Sequence, residues 1–192
     1  MKVISMSGSP RENVGKKDAK AYRRAGLIPA VLYGGSEQKM LLLSVEEVEA
    51  AIITPVVYLI DLSLEGKNYQ CVVKDLQSHP VTDEIIHLDL LEVLPEKPIT
   101  ISLPLNLNGT PKGVLQGGKL VKKFRKLKVK GLAANLPATI EVNISRLDVN
   151  EFLYIRDIKL DNIQILDLPN AVVAGVKSTR STATEAAPTG KK

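Results

Sequence analysis

A chain of 192 residues, 44% hydrophobic and 24% charged, holds enough apolar material for one large domain or two modest ones, which excludes general disorder. Its single cysteine, Cys71, excludes an internal disulfide and a multi-cysteine zinc site. The net charge of +5 is unevenly spread: residues 1–26 carry +5, 27–111 carry −8, 112–130 carry +8, and 131–192 balance. Such clusters suit polyanionic partners, because neutralised phosphates release condensed counterions.

In chain order, Val3-Ile4-Ser5-Met6-Ser7-Gly8-Ser9-Pro10-Arg11 comes first. It superficially matches the strand-then-loop phosphate cradle of flavodoxin-like flavin reductases, a motif that needs repeated β-α-β crossovers around it. The apolar part, Val3-Ile4, is too short for a signal peptide. No later run approaches the roughly 18 apolar residues of a membrane helix, so a cytoplasmic protein without membrane contact is expected.

Residues 16–25 read as a short helix stopped by Gly26. At 100° per residue, Lys16, Lys17, Lys20, Arg23 and Arg24 share an arc of about 120°, with Ala21, Tyr22 and Ala25 assigned to the packing side. Pro29–Tyr33, followed by Gly34-Gly35, and Met40–Leu43 read as strands. Ser44 with Glu47 forms a capping box opening a second helix. Strands are expected at 56–64 and 69–76 around a Glu65-Gly66-Lys67-Asn68 hairpin, and at 85–93. Cys71, in an apolar run, reads as a small buried hydrophobe. The sum is a small, mainly antiparallel sheet or barrel with two helices.

Leu94-Pro95-Glu96-Lys97-Pro98 reads as a linker, since two prolines so close cannot lie in a central strand. Beyond it an all-β domain is expected, with strands at 99–107, 139–144, 152–160, 163–168 and 171–176. Within it, Lys126, Lys128 and Lys130 alternate with Leu127 and Val129, a strand with a cationic wet face that could contact phosphate or guard a sheet edge. The predicted layout is mainly β: an α+β domain at 1–94, an all-β domain at 95–177, and a mobile polar tail at 178–192.

His79, His87 and Asp89 are the remaining candidates for chemistry. His87 and Asp89, two apart on a strand, share one face. With His79 they could hold zinc, hydrogen-bond RNA beside the basic helix, or simply be polar surface. No nucleophile or convincing further ligand accompanies them, so no enzyme, metal or cofactor is expected. The rivals to an RNA-binding protein are a flavin-dependent reductase using the Gly8-Ser9-Pro10 turn and a β-rich protein-interaction module.

Three stretches carry a more specific signal: Arg11-(x3)-Gly15-Lys16-(x3)-Lys20-(x2)-Arg23-Arg24; Ile28-Pro29-Ala30-Val31-Leu32-Tyr33-Gly34-Gly35; and Asp75-Leu76-Gln77-Ser78-His79-Pro80 with Ile86-His87-Leu88-Asp89. Together they resemble the bacterial large-subunit ribosomal protein family that binds 5S rRNA, over about residues 3–94. The β-rich extension and tail look like its two-domain form, often called general stress protein Ctc. The resemblance implies a β-barrel with helices, no enzymatic activity, 5S rRNA and the large ribosomal subunit as partners, and a free monomer. It assigns RNA contacts to Arg11, Lys16, Lys20, Arg23, Tyr33, Gln77, His79, His87 and Asp89, with Arg24 and Lys17 as compensating cations. Ala19, Ala21 and Ser78 depart from the family pattern.

Overall fold

A computed structural model of the chain describes residues 2–35, 37–52, 54, 56–160 and 162–179. The chain forms two compact units, one of residues 1–101 with 131–138, the other of residues 102–130 with the chain from 139 onward. The backbone N–H of Val57 donates to the Ala138 carbonyl at 3.3 Å, joining the returning segment to the first unit.

The first unit is a closed barrel of β1 (Lys2–Pro10), β2 (Leu27–Tyr33), β3 (Lys39–Ser44), β4 (Tyr58–Leu64), β5 (Lys67–Ser78) and β6 (Ile85–Glu92). Around it the order is β1-β3-β2-β6-β5-β4, with β4 returning to β1. Two neighbouring pairs, β1 with β4 and β2 with β6, are parallel, and the others are antiparallel. Each parallel pair joins strands far apart in sequence, as parallel pairing requires. Alternate residues fill the interior, among them Ile28, Leu43, Ile60, Leu62, Leu88 and Leu90, all fully buried. Cys71 lies among them, and burial pushes its thiol up to about 12, with the charges of Glu92 and Asp61 adding to the shift.

Strand β1 runs unbroken through Gly8-Ser9-Pro10, where the flavin reading needs a loop leading into a helix. An added Cβ on Gly8 would lie against the side chains of Leu43, Leu62 and Leu64, so this glycine looks into the barrel. The next helix, α1 (Lys16–Arg24), starts six residues after the strand ends, and no phosphate cradle forms. Glu47, on α2 (Val45–Ile52), also departs from expectation. Its carboxylate accepts from the Ser7 N–H and hydroxyl, each at 2.9 Å, instead of completing a capping box with Ser44. The β4–β5 hairpin is a two-residue turn with positive φ at Glu65 (51°) and Gly66 (78°), the left-handed pair that matches strand twist.

The second unit holds two sheets. One has the order β10-β7-β9-β12, from β7 (Ile99–Asn108), β9 (Lys126–Gly131), β10 (Ile140–Asn143) and β12 (Gln164–Ile165). The other is β11-β13-β8, from β8 (Lys119–Lys122), β11 (Phe152–Tyr154) and β13 (Val172–Lys177). A four-residue helix, α3 (Lys112–Leu115), is an addition to the all-β expectation. The strand expected at 152–160 stops at Tyr154, because the Asp157 carboxylate accepts the Tyr154 N–H at 3.0 Å and closes a 3₁₀ turn. Ser178 and Thr179, read as tail, are tied down by bonds to Asn150 Oδ1 and the Gly117 carbonyl. The rest of the expected tail, 180–192, lies outside the described residues. Among the described residues no helix is long and apolar enough to cross a membrane.

Candidate RNA-binding surface

Helix α1 is nine residues long, and an isolated helix of that length is marginal in water. Its residues 18, 19 and 22 (Asp, Ala and Tyr) are half-buried, while Lys16, Lys17, Lys20, Arg23 and Arg24 are exposed. The cationic arc is therefore the outward face. The packing side differs from the sequence reading: Ala21 and Ala25 are exposed, because the line of contact runs along positions 18, 19 and 22.

Arg23 links this helix to the barrel. Its Nε donates to the Ile86 carbonyl at 3.0 Å, one residue before His87, and both Nη groups remain to reach outward. Lys20, Arg23, Arg24 and His79 line one open groove of about 1010 Å³, together with Glu46, Glu49, Glu84 and the start of β6. Lys16 lies one turn further along the same helix face, about 6 Å from Lys20 along the axis.

His79 is exposed, and its ring is fixed by its own turn. Nδ1 accepts the N–H groups of Val81 (3.3 Å) and Thr82 (3.2 Å). A nitrogen accepting two donors carries no proton, so Nε2–H is the outward, donating edge. This also turns one ring nitrogen away from any shared ligand position. Among the described residues, no group of three or more His, Cys, Asp or Glu is placed to hold a metal.

His87 and Asp89 face outward from β6, with Nδ1 3.0 Å from the Asp89 carboxylate. The alignment falls short of a hydrogen bond, and among the described residues this shielded Nδ1 has no hydrogen-bond partner. Across the β5–β6 ladder, Gln77 stands opposite His87 and Asp75 opposite Asp89. They face outward because of a bulge. Cys71 and Val73 pack on the core at odd positions, then the register shifts between Val73 and Asp75, and Leu76 packs on the core instead. The extra residue flips the parity of the strand and delivers Asp75 and Gln77 to the surface.

Tyr33 is half-buried and lies outside the core cluster. Partial burial, then the charges of Asp89 and Asp75, raise its hydroxyl above the ordinary value and keep it a donor. Asp75 therefore belongs to this face, although the sequence reading left it out of the site. It stood inside the quoted Asp75–Pro80 motif, but its orientation depends on the bulge.

Two parts of the quoted motifs have an internal role. Arg11 donates to the carbonyls of Asn13 (Nε, 3.0 Å) and Gly15 (Nη2, 3.5 Å) and lies 5.9 Å from the centre of the Tyr22 ring, so it fastens the loop entering α1. Gly34, at φ +104°, and Gly35 close the Ile28–Gly35 motif. An added Cβ at Gly34 would meet Leu91 at 2.7 Å in a left-handed backbone, so position 34 needs glycine, whereas at Gly35 it would meet only the flexible end of Glu92.

A barrel that presents a cationic helix beside a strand face rich in hydrogen-bonding side chains is suited to a polyanionic partner. The comparisons are more specific. The family model described as Ribosomal L25p family matches residues 6–90, and that for Ribosomal protein TL5, C-terminal domain, matches residues 98–180. A Large ribosomal subunit protein bL25 from Porphyromonas gingivalis is 39% identical over 183 residues, covering 94% of this chain and 95% of the relative. Proteins of the same name from Amoebophilus asiaticus and Bacteroides fragilis are 40% and 34% identical, with complete coverage of both chains. The chain belongs to the ribosomal L25p family.

Proposed function

We propose that this chain is a structural, non-enzymatic constituent of the large ribosomal subunit, acting in the cytoplasm, and that residues 1–94 bind 5S rRNA. The observation that carries the RNA-binding surface is the Arg23–Ile86 bond, which holds the cationic helix beside the strand bearing His87 and Asp89.

The chemistry divides by residue type. Lys16, Lys20, Arg23 and Arg24 neutralise phosphates and set the position of the protein on the duplex, with Lys17 beside them. His79, His87, Gln77, Asp89 and Tyr33 supply donors and acceptors suited to 2′-hydroxyls and base edges in the wide, shallow minor groove of RNA. Arg23 and His79 are pre-ordered by their internal bonds, so less side-chain freedom is lost on binding. Arg11 acts by holding the helix in place.

The test is binding of the full chain to 5S rRNA and to an unrelated structured RNA across a salt series. Preference for 5S rRNA is expected; equal affinity for both would defeat the specific claim. Replacing Lys20 and Arg23 with Ala should weaken binding and reduce the salt slope by about 2. An unchanged slope would move the docking surface elsewhere.

A further inference from the structure

The run from Lys112 to Lys130 holds eight Lys or Arg and no acid, and the function proposed for the first unit does not use it. The fold divides this run. Lys119 and Lys122 are on β8, an edge of the three-stranded sheet, where lysines discourage pairing with other chains. The Lys122 ammonium is also engaged by the Leu105 carbonyl. Lys126, Lys128 and Lys130 are different. They lie on β9, an interior strand with β7 on one side and β12 on the other. Edge protection does not explain charge at Lys128 and Lys130, where the segment at 164–166 already bonds to the open side of β9.

All three lysines are exposed, while Leu127 and Val129 between them are fully buried. The core thus fixes the stripe to one face, with neighbouring ammonium stems about 6.6 Å apart along the strand. Among the described residues, none of the three forms an ion pair. The nearby acids are otherwise engaged: Asp167 accepts the Lys128 backbone N–H at 2.7 Å, and Glu141, on the far strand β10, accepts from the Asn108 amide. Three like charges held in line, with one carboxylate (Asp167) on the strand backbone beside them, leave an excess of positive charge that calls for an anionic partner with regularly spaced charge.

We propose that the Lys126-Lys128-Lys130 face of β9 is a second RNA-contact surface, which grips a phosphate backbone without reading sequence. A backbone supplies regular charge, and the face carries no aromatic side chain on which a base could stack.

The test uses the full chain, a short RNA duplex unrelated to 5S rRNA, and a salt series. The K126Q/K128Q/K130Q variant should bind this duplex roughly tenfold to hundredfold more weakly at low salt, with a salt slope smaller by about 2–3. The K126R/K128R/K130R variant should bind as the parent does, and all three proteins should melt together. Charge-matched polyglutamate should compete poorly. Unchanged affinity and slope in the glutamine variant, or loss of binding in the arginine variant, would overturn the proposal. Equal competition by polyglutamate would also overturn it, in favour of an acidic protein partner. Preference for 5S rRNA is read in the separate Lys20 and Arg23 variants, so either proposal can fail alone.

Discussion

Two histidines, eight positions apart, have Nδ1 engaged by different partners. His79 has its Nδ1 occupied by two backbone donors and so offers Nε2–H, while His87 turns Nδ1 toward the Asp89 carboxylate. Replacing His79 with Ala should therefore loosen the 79–84 turn as well as weaken RNA binding. Hydrogen exchange at Val81 and Thr82 would show it, and unchanged exchange would mean the ring does not hold the turn. Gly34 makes a sharper demand. Gly34→Ala would place a side chain at φ +104° and against Leu91, costing about 1–3 kcal/mol, which a thermal melt would detect. Cys71 gives a pH prediction. Its folded-state thiol titrates near 12 against an ordinary 9.0, so the protonated form is favoured by folding. That contribution is complete below about 9 and fades as pH rises toward 12. Tyr33 shifts in the same direction, so the Cys71→Ala variant should show a shallower but still present alkaline decline. A thiol reagent at neutral pH should label only unfolded protein; rapid labelling of the native chain would contradict this burial.

At the level of elements, β5 shows what the sequence could and could not reveal. Tyr69 to Leu76 was legible as a strand from its composition. The bulge at Lys74 was not, because an extra residue exists only relative to the partner strand β6. Deleting Lys74 should remove the bulge and keep Asp75 and Gln77 outward, because Val73 and Asp75 already pair with the adjacent residues Leu90 and Asp89. A cooperative melt close to the parent's is expected, and its loss in the deletion variant would refute the parity argument. Helix α1 was legible from its cationic arc, though its packing line fell on 18, 19 and 22 because docking chooses the face. Strand β1 was hidden because its Ser and Gly residues break the apolar alternation, and only pairing with β3 and β4 makes it a strand. The hydrogen bonds of Glu47 to Ser7, 40 residues away, were equally out of reach of a local motif.

For the whole molecule, the charge map read from sequence anticipated two separate cationic regions, and the fold gives each a different setting. One is a helix face beside hydrogen-bonding side chains; the other is a bare strand face. What the sequence could not show is the path of the chain, which leaves the first unit after residue 101, builds part of the second, and comes back for 131–138 before leaving again. During synthesis, then, the barrel can close early but its unit stays unfinished until Ala138 has emerged, well after the last barrel strand. A nascent chain paused shortly before that point would carry the entire cationic helix and the His87 strand without the Val57–Ala138 bond, so maturation of the first unit is timed by translation of the second.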